Sequence, residues 1–303
     1  MNTQKAYLKY ATALLLFGLN GIVASHIHLS SSEIVFTRTL IGSLFLIILF
    51  ALGKKQITIW NNRKHLSFLV ISGVAMGASW LFLFEAYRQI GVSIATLAYY
   101  CGPVIVMAVS IFVFKEKATT TKLFGFLAVI LGMLFLNGEG ISQGSVSHGL
   151  IYGAMSAIMY AIMVVFNRKA GSITGLENAM WQLLVSFLTV AVFVLLKQGL
   201  MLSIRAESLP PILILGIINT GLGCYLYFSS IGELPVQTVA ISGYLEPLSA
   251  LIFSAILLGE NLSVIQGIGA MLILGGAVSG ELSHQRHHDD SQSGRRVLAQ
   301  AED

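Results

Sequence analysis

Apolar residues run in blocks of about 20 along almost the whole chain, with short polar stretches between them. A bilayer core needs a helix of about that length, so each block reads as a membrane span. The pattern predicts ten of them, at about 7–26, 32–53, 67–88, 91–114, 121–138, 148–168, 177–198, 209–231, 235–259 and 264–282. Ser30, Ser31 and Ser32 stand before Glu33, where side-chain oxygens can satisfy the free N–H groups of a helix start. The connecting loops are short, and none has room for a soluble domain. Residues 283–303 are polar and mixed in charge, the composition of a disordered tail.

The blocks repeat. At an offset of 144 residues Tyr100 matches Tyr244, Pro103 matches Pro247, Ser110 matches Ser254 and Glu116 matches Glu260. Gly125 and Gly132 match Gly269 and Gly276, and Glu33 matches Glu177, with no insertion. The chain is therefore expected to hold two copies of one unit, residues 7–138 and 148–282. Five spans per copy is an odd number, so the second copy enters the membrane upside down. Inverted repeats are a recurrent architecture of secondary transporters. The expected fold class is an all-α integral membrane protein of ten transmembrane helices in two inverted five-helix repeats.

Composition agrees: 55% of residues are hydrophobic and 11% charged, against about 25% charged in a soluble domain, and mean hydropathy is +0.80. Lys5, Lys9 and Val23-Ala24-Ser25 also resemble a signal peptide, but the repeat requires this first helix. With the N-terminus inside, Lys54, Lys55, Lys64, Lys115, Lys117 and Lys169 among others fall on the inner face. Arg88, Lys197 and Arg205 alone fall outside, which makes both termini cytoplasmic and places the protein in the cytoplasmic (inner) membrane. The net charge of +4 comes from these loops and does not indicate nucleic acid. Cys101 and Cys224 lie within apolar runs and read as small core residues. With no metal-ligand spacing and no phosphate loop, no cofactor is expected. The histidines at 284, 287 and 288 read as part of the unstructured tail.

Each half carries a proline-centred span ending in Glu, a polar link and a Gly-x6-Gly span. These are Pro103…Glu116…Gly125…Gly132 and Glu246-Pro247…Glu260…Gly269…Gly276. With Tyr244-Leu245-Glu246-Pro247 and with Arg38 in the second span, the chain resembles the EamA-type members of the drug/metabolite transporter superfamily. The resemblance covers about residues 7–282. It implies ten helices and transport, often export, of cargo that the motif does not specify.

Transport needs a cavity near the midplane. Arg38 and Glu246 lie deep in their spans, where a charge costs at least ~2.5–3.5 kcal/mol and should face the interior or water with a partner. Glu246 reads either as a cavity carboxylate that binds a cation or exchanges a proton, or as a structural carboxylate beside Pro247. Arg38 reads as an anion site or as half of a fixed ion pair. In the second copy Trp181 and Gln182 stand where Thr37 and Arg38 stand in the first, so any role of Arg38 is asymmetric. Pro103 and Pro247 are expected to kink their helices as hinges or cavity-shaping points. Tyr99, Tyr100, Tyr244 and Trp80, with Tyr225 and Tyr227, are candidates to line a site for flat or cationic cargo. Glu85 and Arg88 are spaced for a local ion pair, and Glu116 for a loop anchor. Gly73/Gly77, Gly149/Gly153 and Gly276/Gly280 have the spacing of close helix packing.

The expected function is secondary active transport of small organic metabolites by alternating access, as an exporter of amino acids or related compounds. The expected partners are a small-molecule substrate, the lipid bilayer and, as a coupling ion, the proton. Uptake of a cationic or amphipathic compound is the alternative within transport. A membrane-embedded enzyme or lipid-handling scaffold is the alternative of another class, and the lack of any aspartate before Asp289 weighs against an enzyme.

Overall fold

The computed structural model describes residues 3–53, 57–102, 104–106, 109, 120–136, 147–199, 204–230, 234, 243–276 and 279. Among these residues the chain is helical and has no strand. The helices are α1 (Thr3–Gly18), α2 (Asn20–Ser25), α3 (Ser31–Leu52), α4 (Arg63–Tyr99) and α5 (Thr120–Leu136). After them come α6 (His148–Lys169), α7 (Gly175–Gln198), α8 (Leu209–Leu213), α9 (Gly223–Ser230), α10 (Leu245–Leu257) and α11 (Val264–Gly276). Among the described residues six stretches are long and apolar enough to cross a membrane: Gln4–Ser25, Ser31–Leu52, Arg63–Val106, His148–Lys169, Gly175–Lys197 and Ala206–Tyr227. Helices α10 and α11 are shorter and also apolar. Pro103, Glu116 and the 283–303 tail lie outside the described residues.

The serine cluster starts α3 as expected. Ser30 caps it, its backbone N–H donating to Glu33 at 2.8 Å while its hydroxyl accepts from the Glu33 N–H. Its repeat partner Glu177 does different work. It reaches across to the chain before α4 and accepts from the N–H groups of Thr58 (2.7 Å) and Ile59 (2.9 Å) and from the Thr58 hydroxyl (2.6 Å).

The stretch Arg63–Val106 has 44 residues, which as one straight helix would span about 66 Å, twice a bilayer core. It is instead a hairpin. Before Gly91 its contacts run backwards along α6, with Ser79 bonded to Ser156 and Ser72 to the Met163 carbonyl. After Gly91 they run forwards, with Ala98 against Gly153 and Gly102 against Tyr160. Gly91 makes the turn at φ 78°, ψ 167°, a backbone region open in practice to glycine alone. The helix that restarts there would leave free N–H groups. Glu260 accepts from two of them, Val92 (2.7 Å) and Ser93 (2.8 Å), and its charge suits a helix N-terminus. The third and fourth predicted spans are thus separate segments joined without a loop.

The Gly-x6-Gly motifs explain how α5 meets α11. A Cβ on Gly132 would lie 2.7 Å from the Gly269 carbonyl oxygen, and one on Gly276 would lie 2.8 Å from that of Gly125. The earlier glycine of each helix meets the later glycine of the other, so the two run antiparallel with backbones in contact. Small residues permit such an approach where burial of apolar area gives no preference for protein over lipid. Gly73 and Gly77 serve likewise against Val185 and Ser186 of α7, and Gly153 against Ala98.

Pro247 is expected to kink its span. It falls in the first turn of α10, which begins at Leu245. Its ring carries no N–H for the carbonyl of Gly243, four residues back. The interruption lies within that turn, at Tyr244. In the first half, α4 ends at Tyr99 and helical backbone resumes at Gly102, with the break at Tyr100.

Candidate functional site

Those two breaks face each other. The Tyr100 and Tyr244 rings are 6.5 Å apart between centroids, and both line a cavity of about 500 Å³. Pockets of 300–1,000 Å³ suit small organic molecules. Arg38 (α3), Trp80 and Tyr99 (α4), Tyr100 just after α4, Tyr244 just before α10, Glu246 (α10) and Tyr227 (α9) all line it, so one chamber gathers seven of the eight candidates named from sequence, and Tyr225 is not among its lining residues. The lining continues along α6 to Asn167 and Arg168 in that helix's last turn.

Arg38 is 1% exposed, the largest fully buried side chain among the described residues. Its guanidinium carbon lies 4.4 Å from the centre of the Trp80 ring and 4.9 Å from that of Phe84. Stacking on aromatic faces stabilises a desolvated cation by up to about 2 kcal/mol. Its Nε donates to the Thr220 hydroxyl at 3.0 Å. Thr220 belongs to a nine-residue π-helical segment, Ile214–Leu222, between α8 and α9. There its hydroxyl donates to the Leu215 carbonyl at 2.7 Å, leaving the oxygen to accept from Arg38. π-Helical turns recur at functional sites, because the widened turn re-aims side chains. Among the described residues Arg38 has no carboxylate within ion-pair distance. Among the described residues the side-chain ion pair is Arg88–Glu85 at 3.9 Å, the local pair expected from the sequence, and Arg38 Nη1 is buried with nothing to bond. The fixed ion pair that was one reading of Arg38 is absent among the described residues.

Glu246, on the first turn of α10, has the Tyr100 side chain as hydrogen-bond partner. The wall between the two charges is aromatic. Tyr160, Tyr99 and Tyr100 meet in successive edge contacts of 5.2 and 5.5 Å, and Tyr227 joins Tyr10 at 5.5 Å and Phe17 at 5.9 Å. Tyr10, Asn20, Tyr160, Asn167 and Gln182 line the cavity as well, and the sequence reading did not name them as binding residues. A polar side chain inside an apolar run was the available signal for Asn20, Asn167 and Gln182. Cys224 is buried as expected and also faces the cavity.

Around α2 and the start of α3, Ile27, Ile34, Val35, Phe84 and Ile212 form one apolar cluster. Polar ties flank it: the Ser31 hydroxyl donates to Glu85, Gln89 donates to Glu85 at 2.8 Å, and the His28 N–H donates to the Ser208 hydroxyl at 3.2 Å. With the Glu260 clamp on Val92 and Ser93, these contacts join α3, α4 and the link between α10 and α11 at the end opposite Arg168.

The sequence matches the model of the EamA-like transporter family twice, over residues 4–138 and 147–279. It is 26% identical to the uncharacterized transporter YxxF of Bacillus subtilis, over 89% of this chain and 88% of that protein. It is 25% identical to the uncharacterized inner membrane transporter YicL of Salmonella typhimurium, over 94% and 98%. A probable amino-acid metabolite efflux pump of the same organism is 28% identical over 64% of this chain and 69% of its own. One solved crystal structure shares the fold at TM-score 0.65 and 19% identity, covering 94% of this chain and 100% of that one.

Proposed function

The chain belongs to the EamA-like transporter family, and from that premise we propose that it is a secondary carrier, not an enzyme, that exports amino acids or closely related metabolites. The observation that carries this reading is the cavity's pair of opposite charges. A buried cation with a free donor, Arg38, and a carboxylate, Glu246, line one chamber and do not pair with each other. A zwitterion answers both: its carboxylate meets Arg38, and its ammonium meets Glu246 and the tyrosine faces. A desolvated donor left unpaired costs about 1–3 kcal/mol, more when charged, so an anion there recovers that cost. Export is supported by the name of the Salmonella efflux pump.

The architecture proposed is ten spans in two inverted five-helix units, 7–138 and 148–282, with both termini cytoplasmic. The reciprocal α5–α11 glycine contacts and the facing breaks at Tyr100 and Tyr244 support the inversion, since a two-fold axis in the membrane plane exchanges the members of each pair. With that orientation the chamber opens toward the cytoplasm, where an exporter loads. Alternating access then requires the ties at the far end to part as the Arg168 end closes.

The test is a thermal-shift screen of purified protein against amino acids and amines, followed by counterflow in proteoliposomes. Zwitterionic amino acids should raise the melting temperature by mass action, and Arg38→Gln should remove that rise. Stabilisation by amines but not amino acids, unaffected by Arg38→Gln, would instead favour the second reading, a carrier of cationic or amphipathic compounds. Glu246 among tyrosines is the observation behind that reading. Glu246 is also the candidate proton site. Proton coupling predicts that Glu246→Gln loses pH-gradient-driven movement, and a variant that keeps it in full rules coupling out.

A further inference from the structure

Gln182 sits on α7, 144 residues after Arg38, at the matching place in the second half. Like Arg38 it lines the cavity, is buried (2% exposed), and carries one side-chain atom with nothing to bond. The hydrogen-bond network dictates which atom. The Ser72 hydroxyl gives its single proton to the Met163 carbonyl at 2.7 Å, so its oxygen can only accept. The group bonded to it at 2.9 Å must therefore be the Gln182 amide nitrogen. That leaves Oε1 as the free atom, an unpaired acceptor buried in the chamber's wall beside a fixed neighbour. Ser72 is eight residues before Trp80 on α4, so this acceptor lies about 12 Å along the helix axis from the ring that holds Arg38.

We propose that Gln182 is a specificity-determining residue: its Oε1 accepts a hydrogen bond from an N–H or O–H on the side chain of the transported amino acid. The inference rests on the zwitterion reading, because Arg38 and Glu246 already engage the carboxylate and the ammonium. The third polar contact then falls on whatever group the cargo extends toward α7. A neutral acceptor discriminates by what it lacks. It pairs with amide and hydroxyl side chains and leaves aliphatic side chains of the same shape without a partner, and a site built to hydrogen-bond a cargo disfavours the analogue that cannot. The repeat explains the division of labour: one frame position, used twice, supplies a charged donor in one half and a neutral acceptor in the other.

The experiment uses matched pairs of probes, L-glutamine with L-methionine, L-asparagine with L-leucine, and L-serine with L-alanine, titrated against the purified full-length protein. In the unaltered protein at least one pair should favour the donor-bearing member by about tenfold in affinity. Gln182→Met keeps the shape and removes the acceptor. It should abolish that preference while binding of the apolar member stays the same. If Gln182→Met does not fold, Ser72→Ala gives the second reading: freed from Ser72, the amide can turn its NH₂ inward, and the preference should shrink several-fold. Pairs that bind without preference, or a preference unchanged in the variant, would overturn this proposal alone. If no probe binds the unaltered protein, the amino-acid reading falls with it.

Discussion

The two halves share a frame and differ at the point where chemistry is needed. Both break a helix at a matched tyrosine, and the two Gly-x6-Gly helices pack on each other glycine against backbone. At positions 38 and 182 the halves part: an arginine over two rings in one, a glutamine tied to Ser72 in the other. A second departure accompanies the first. Residues 214–222 are π-helical, while their counterparts at 70–78, within α4, are regular α-helix, and the widened turn is where Thr220 holds Arg38. The matched glycines serve the scaffold, and on the function proposed the unmatched positions 38 and 182 serve the cargo. Symmetry supplies a passage with two equivalent ends, but a small asymmetric solute needs unlike groups on its two sides.

The comparison can be broken most directly at the arginine. Arg38→Gln should leave a folded protein with amino-acid transport down by more than about 100-fold in proteoliposomes, because the buried donor to the cargo's carboxylate is gone. Arg38→Lys should fare little better, since an ammonium cannot stack on Trp80 and bond Thr220 together. If either keeps near-normal transport, the cavity's charge asymmetry has no function.

The shared frame makes an equally sharp forecast at two adjacent glycines of α11. Gly276→Ala places a methyl 2.8 Å from the Gly125 carbonyl and should destabilise the protein by about 1–3 kcal/mol. Gly275→Ala meets nothing within 4 Å and should be neutral, or stabilising by up to about 1 kcal/mol through helix propensity. Thermal unfolding in detergent reads both, and equal effects at the two sites would refute the α5–α11 contact. Next comes Trp80→Leu, which removes the face that carries the guanidinium and should weaken amino-acid binding about tenfold. Smallest is Thr220→Val. It forfeits one hydrogen bond to Arg38, which should raise KM several-fold and leave the maximal rate close to normal. A Thr220→Val protein with unchanged KM would mean that the π-helical segment does not position Arg38.

Much of this was legible in the linear chain. Runs of apolar residues mark membrane segments because lipid tolerates little else, and an offset of 144 residues exposes the duplication without coordinates. The depth of Arg38 and Glu246 marked them as inward-facing, and both line the chamber. Gly125, Gly132, Gly269 and Gly276 were legible as a motif, though their mutual contact was not. Pro247 was legible as a point of interruption, but not that the break falls at Tyr244 and a new helix, α10, begins two residues before the proline. Asn20, Asn167 and Gln182 were passed over as site residues because a lone amide in an apolar run reads equally as a packed one.

What the order of residues decided by itself is membership: which segments enter lipid, that they come in two related sets, and which ionisable groups must avoid the acyl chains. Those are consequences of solvation, which acts on each segment separately. Only the folded arrangement decided that Arg38 rests on Trp80 and Thr220 with no ion pair among the described residues, that the two tyrosine breaks confront each other, and that Gln182 keeps an unpaired oxygen in the chamber's wall. These depend on how each helix is rotated about its axis and on whether a neighbour has already used a given proton. A one-dimensional pattern carries neither, because both arise from packing between residues far apart in the chain.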